Sequence, residues 1–143
     1  MPHTFVTSYY HCVFSTKNRR KLISSDLENR LYPYLGGVAR ANDMKLLAIG
    51  GMPDHVHLLI SLPKTLQLSK AVQALKGNAS HWINQNFDVP GRFEWQAGYG
   101  AFSIAMRDLD RTRAYIRNQK QHHKKMDPET EFDQFLKKNG LGK

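Results

Sequence analysis

"MKLLAIGGMPDHVHLLISLP", residues 44 to 63, decides the fold. Two aliphatic runs flank a brief interruption, Gly51 to Asp54, that reads as a turn. A link this short joins antiparallel strands, because a parallel return needs a crossover of a dozen or more residues. The second strand, His55 to Leu62, alternates along its length. Val56, Leu58, Ile60 and Leu62 share the face expected against helices, and His55, His57, Leu59 and Ser61 share the other. Imidazoles at i and i+2 lie about 7 Å apart along a strand, and their rings can converge on one ion. Neutral imidazole is the commonest metal ligand. The plain alternative is a pair of partly exposed strand histidines holding nothing.

Elements of alternating type surround this hairpin. "TFVTSYYHCVFST" (4 to 16) is rich in β-branched and aromatic residues and predicts a long first strand, followed by the basic loop "KNRRK". Ser25 and Glu28 form a capping box for a helix to about Asn42, on which Leu27, Leu31, Leu35 and Val38 keep helical spacing and Pro33 is an interior irregularity. Leu68, Ala71, Val72, Leu75, Ala79 and Trp82 mark a second helix, from Leu66 to about Asn86. "FEWQAGYGAFSI" (93 to 104) reads as extended, with a bend or bulge at its glycines. A basic helix from Met106 to about Lys124 follows, and Asp127 and Pro128 start a last helix that ends at Gly140.

The order β-α-β-β-α-β predicts an α+β, ferredoxin-like split β-α-β: one antiparallel sheet with two helices on one face. The whole chain, 1–143, reads as a single domain, with a core over 1–104 and a helical C-terminal segment over 105–143. The other sheet face must be covered by that segment or by a partner molecule.

Composition narrows the function. The 143 residues suffice for one domain with a real core, and 41% of them are hydrophobic. A net charge of +9 favours a polyanionic partner, nucleic acid above all, with a solubility surface as the plain alternative. The single cysteine, Cys12, cannot form an internal disulfide and fits a reducing cytoplasm. No apolar run approaches membrane-spanning length and no signal peptide is visible, so no membrane association is expected.

Two histidines hold a metal poorly, and "RTRAYIRNQKQHH" (111 to 123) offers a third ligand. Tyr115 and Gln119 are four apart and share a helix face, which His122 continues. Leu109 and Ile116 lie on the neighbouring apolar stripe that docks the helix. The Gln119 amide oxygen can complete a His55, His57, Gln119 set for Mg²⁺ or Mn²⁺, leaving positions open for phosphate oxygens. Tyr115, one turn earlier, would sit beside that phosphate.

His-hydrophobic-His on a strand, with Tyr-x-x-x-Gln on a later helix, resembles the HUH-superfamily single-tyrosine transposases. These are the small transposases of simple insertion sequences and their REP-associated relatives. "HCVFSTKNRRKL", "GGMPDHVHLLISLP", "WQAGYGAFSI" and "AYIRNQKQHH" resemble stretches of that family in the same order, across roughly residues 5 to 135. The resemblance implies that His55, His57 and Gln119 are metal ligands and that Tyr115 is the nucleophile. It implies cleavage of single-stranded DNA at hairpin-bearing ends through a 5′-phosphotyrosine, with rejoining to a 3′-OH and no small-molecule substrate. It also implies a homodimer in which the tyrosine helix can serve the partner's histidines.

Lys17, Arg19, Arg20, Lys76, Arg113, Arg117 and Lys120, with Lys124 and Lys125, could follow a DNA backbone. Tyr9, Tyr10, Trp82, Trp95 and Tyr99 could stack on bases, although core packing suits most of them better. His3, His11, His81 and His123 receive no role. A histidine-triad hydrolase would need a third alternating histidine where Leu59 stands, and a 2H phosphoesterase would need a second His-x-Ser/Thr motif. A non-catalytic binder of single-stranded nucleic acid remains open, as does a host-fixed nuclease acting on REP hairpins.

Overall fold

The computed structural model describes residues 3–121. Four strands form one sheet: β1 (Tyr9–Ser15), β2 (Lys45–Met52), β3 (His55–Ser61) and β4 (Gly100–Ile104). Their order is β2-β3-β1-β4 and every pairing is antiparallel. Helices α1 (Ser25–Ala41) and α2 (Leu68–Asn86) make the two split β-α-β connections, as the element order predicts.

Both helices pack on one sheet face. Cys12 and Phe14 of β1 and Val56, Leu58 and Ile60 of β3 meet Leu27, Leu31 and Leu35 of α1 and Val72, Leu75 and Ile83 of α2. The α1 and β3 residues, with Val72 and Leu75 of α2, are those whose spacing set the expectation; on α2 Ile83 is fully buried, whereas Trp82, expected on that stripe, is only partly so. The opposite face is covered by the chain itself. Helix α3 (Leu109–Arg117) lays the fully buried Ile116 against Ala48 of β2 and Leu59 of β3. The central strand β3 is therefore buried on both sides. A partner is not needed to cover this face, so that face gives no ground for expecting a dimer.

Gly50 permits the close approach of α3. A Cβ there would overlap the Ile116 backbone carbonyl oxygen, so only glycine lets helix and strand meet at this point.

Several boundaries differ from expectation. The first strand starts at Tyr9 rather than Thr4, and Phe5 and Val6 before it are exposed. High β propensity alone does not make a strand where no neighbour pairs with it. Ser24, not Ser25, caps α1: its hydroxyl accepts from the Leu27 amide at 3.2 Å. Glu28 is thereby released from the capping box and pairs instead with Lys120 at 2.7 Å. Over 93 to 104 only β4 is regular strand; Trp95 makes an isolated bridge to Thr16, and Gly98 takes φ +85°. The basic helix from Met106 begins as a short 3-10 turn, Met106–Asp108, and α3 stops at Arg117, where Asn118 caps it. Residues 119–121 resume helical turns. The expected last helix, from Asp127 to Gly140, and His122, His123, Lys124 and Lys125 lie outside the described residues.

Candidate active site

The second sheet face carries the polar chemistry. Alternation places His55 and His57 on it with Leu59, and β1 contributes His11 and Val13 alongside. The two β3 rings lie 5.1 Å apart, centroid to centroid. Both histidines are buried, at 5% and 2% exposure. A buried imidazole needs hydrogen-bond partners, and each ring has one at Nδ1.

His55 Nδ1 lies 2.7 Å from Asp54 Oδ1. A carboxylate accepts, so Nδ1 carries the proton and the lone pair is on Nε2. Asp54 is itself anchored, for Arg19 Nε donates to its other oxygen at 3.1 Å. Burial pushes the Asp54 carboxyl up, but the hydrogen bond from His55, with the charge and hydrogen bond of Arg19 behind, outweighs it and holds the group below its usual range. Reaching Asp54 requires a sharp bend in the basic loop. Asn18 and Arg19 both adopt left-handed backbone, at φ 59° and 55°. That conformation costs non-glycine residues about 1 kcal/mol or more each. The Asn18 amide bonded to Gln96 Oε1 at 3.1 Å and the Arg19–Asp54 pair offset it.

His57 Nδ1 lies 2.8 Å from His11 Nε2. The two are diagonal neighbours across β1 and β3, since His11 sits opposite Leu59 and Val13 opposite His57. Burial lowers the His11 pKa to about 4, so its ring is neutral at physiological pH.

Helix α3 brings Tyr115 over this group. Its ring centroid is 5.9 Å from those of both His57 and His11, nearly edge-on to each. Gln119 follows one turn later and is 1% exposed. Its Nε2 donates to the Tyr115 carbonyl at 3.3 Å, and its Oε1 is buried with no hydrogen-bond partner. An orphaned buried amide oxygen is costly and is the type of atom that a bound cation would satisfy. Among the described residues no three His, Cys, Asp or Glu side chains form a cation cluster. A cation here would therefore draw on two imidazoles and the Gln119 amide, a neutral set that leaves room for anionic phosphate oxygens. The residues present fit such an ion.

The expected DNA-contacting cations are mostly engaged within the fold. Lys17 pairs with Glu94 at 3.1 Å, Arg20 donates to the Pro90 carbonyl at 2.7 Å, and Arg113 reaches Asp110 at 3.4 Å. Lys76 donates to the carbonyls of Gln96 and Gly98, and burial lowers its pKa. Lys120 ties the segment after α3 to Glu28 of α1 and to the Gly51 carbonyl at 3.3 Å. Arg117 lines a cleft of about 460 Å³ with Arg40. Among the aromatics, Trp95 packs against Phe14 and Phe93, and Trp82 stacks on Tyr34 at 4.5 Å, so both serve the core. Tyr99 is exposed.

Two residues of the site went unread in the sequence. Asp54 directly precedes the histidine pair and looked like a turn residue. His11 lies on the correct face of β1 by alternation, but only the β1–β3 register brings it to His57.

Residues 4–119 match the sequence model of the family described as transposase IS200 like. The chain belongs to the IS200-like transposase family. It is similar to the ISDra2 transposase TnpA of Deinococcus radiodurans, at 26% identity over 115 residues that cover 77% of this chain and 82% of the relative. It is similar, at 23% identity over 129 residues, to the transposase for insertion sequence element IS200 of Salmonella typhimurium, covering 87% and 84% of the two chains. In fold it is similar to a crystal structure of a transposase from Deinococcus radiodurans R1, with TM-score 0.66, 26% identity and coverage of 83% and 96%. A REP-associated tyrosine transposase bound to a REP hairpin shares the fold, with TM-score 0.60 at 18% identity over 81% and 68% of the chains. Membership places this chain among DNA-cleaving and DNA-joining proteins of the single-tyrosine class. No helix among the described residues is long and apolar enough to cross a membrane.

Proposed function

We propose that this IS200-like transposase cleaves and rejoins single-stranded, hairpin-bearing DNA through a 5′-phosphotyrosine formed on Tyr115. The observation that carries the reading is the docking of α3, which sets the Tyr115 ring 5.9 Å from the His57 ring and leaves the buried Gln119 Oε1 without a hydrogen-bond partner. The Tyr115 oxygen attacks the scissile phosphorus as its proton leaves. The bond to the 3′-oxygen breaks, and that oxygen takes up a proton to become a free 3′-OH. Reversal by a different 3′-OH joins a new strand, and the phosphodiester energy is retained throughout.

His55, His57 and Gln119 would hold Mg²⁺ or Mn²⁺. Such an ion, when bound, supplies Lewis-acid polarisation of the scissile phosphate. Asp54 and Arg19 hold His55 in the tautomer that such a role requires. Lys17, Arg20, Lys76, Arg113, Arg117 and Lys120 would contribute charge along the strand, added to the internal contacts most of them make. The whole chain acts as one domain in the cytoplasm, and the resemblance to single-tyrosine transposases supports a homodimer. Transposition of an element and host-fixed processing of hairpins would use this same chemistry.

Cleavage of a labelled hairpin oligonucleotide with Mg²⁺, with and without EDTA, tests the reading. Wild type should cleave only with metal, and His57→Ala should bind DNA without cleaving it. Full cleavage in EDTA would exclude the metal role. Binding without any cleavage would favour a non-catalytic module.

A further inference from the structure

The two histidines of β3 are held differently. His55 is fixed by a carboxylate, which can only accept, so its tautomer is decided. His57 faces another imidazole at 2.8 Å, and one proton must lie between the two rings. If it sits on His57 Nδ1, the lone pair of His57 is on Nε2, as ligation beside His55 would require. If it sits on His11 Nε2, His57 carries its proton on Nε2 and cannot ligate there.

We propose that His11 is a positioning residue: its Nε2 accepts from His57 Nδ1–H and so fixes the tautomer and ring orientation of His57. This deepens the metal-assisted reading and rests on it. Three observations support the assignment. His11 is 2% exposed, so water does not compete for the bond. Its ring is set between neighbours, with Phe102 opposite on β4 at 6.3 Å and Tyr115 of α3 at 5.9 Å, both edge-on. This geometry limits rotation of the ring and therefore the direction of its lone pair. Finally, a buried polar ring in the small apolar layer under α3 is costly unless it is hydrogen-bonded, and the cross-strand bond to His57 satisfies it.

Outer partners of ligating histidines typically change metal affinity by about 10- to 100-fold when removed. His11→Phe keeps a ring of similar size and removes the acceptor. His11→Gln keeps an acceptor oxygen near the position of Nε2. Long-range ¹⁵N–¹H correlation of the histidine rings in metal-free protein reports the tautomer directly, with the His57 signals assigned by their loss in His57→Ala.

Wild type should show His57 protonated at Nδ1. His11→Phe should shift His57 toward the Nε2–H form and weaken Mn²⁺ binding, read by calorimetry, by about 10-fold or more. His11→Gln should retain the Nδ1–H form and most of the affinity. Finding His57 as Nε2–H in the wild type would overturn the proposal with no variant needed, even if His11→Phe failed to fold. Unchanged tautomer and unchanged Mn²⁺ affinity in folded His11→Phe would also overturn it. Wild type with the expected tautomer but no Mn²⁺ binding would overturn the metal reading beneath the proposal, a failure distinct from that of His11 itself.

Discussion

Replacing Ile116 with alanine should separate the fold of the sheet from the assembly of the site. Ile116 is fully buried and is the main apolar anchor between α3 and the sheet, seated on Ala48 and Leu59. The substitution removes three carbons. At about 0.8 kcal/mol per buried methylene the transfer loss is about 2–3 kcal/mol. Incomplete collapse of the gap brings the total to about 3–4 kcal/mol. The main core between sheet and α1 and α2 does not include Ile116, so most of this loss should fall on α3 docking. At about 1.4 kcal/mol per tenfold, the ratio of docked to undocked α3 should fall on the order of a hundredfold or more. Amide exchange at Asn118, whose N–H bonds to the Ala114 carbonyl at 3.1 Å, reports this directly. Protection across α3 should drop while β1 and β3 on the main core stay protected, and cleavage should fall with it. Wild-type protection in α3 together with wild-type cleavage would refute the claim that this contact assembles the site.

Further outcomes follow from individual contacts. Gly50→Ala puts a methyl group into the Ile116 carbonyl, a clash that no rotamer relieves, so tryptic cutting at Arg113 and Arg117 should accelerate. Cys12 is fully buried and burial pushes its thiol from 9 up to about 12, so a thiol reagent at pH 8 should label it only after unfolding. Because that pKa lies above the unfolded value, the group costs no stability below pH 9 and lowers it as pH rises further. Gln119→Ala should lose cleavage in Mg²⁺ and recover part of it in excess Mn²⁺; wild-type activity in low Mg²⁺ would remove Gln119 from the ligand set.

The features of fold and site legible in the sequence are those set by periodicity. The alternation in "HVHLLISL" placed both histidines opposite the main core, and the leucine spacing of α1 named the residues that pack there. The helical spacing of Leu109 and Ile116 likewise named the contacts under α3. What escaped depends on register or on a choice between equal local options. Ser24 and Ser25 can each cap a helix, and the selection of Ser24 frees Glu28 for Lys120. His11 meets His57 only because β1 and β3 pair with Val13 opposite His57, which no local pattern specifies. The first strand looked longer because "TFVT" has strand composition, yet it makes no regular sheet pairing.

The central claim is that Tyr115 forms the covalent bond to DNA. Mass spectrometry after incubation with a hairpin oligonucleotide, Mg²⁺, nuclease trimming and trypsin tests it most directly. The tyrosine falls in the short peptide 114–117, bounded by Arg113 and Arg117. This peptide should carry a 5′-phosphonucleotide on Tyr115, and Tyr115→Phe, which removes one oxygen, should yield no adduct while still folding and binding DNA. An adduct on any other residue, or one that persists in Tyr115→Phe, would contradict it.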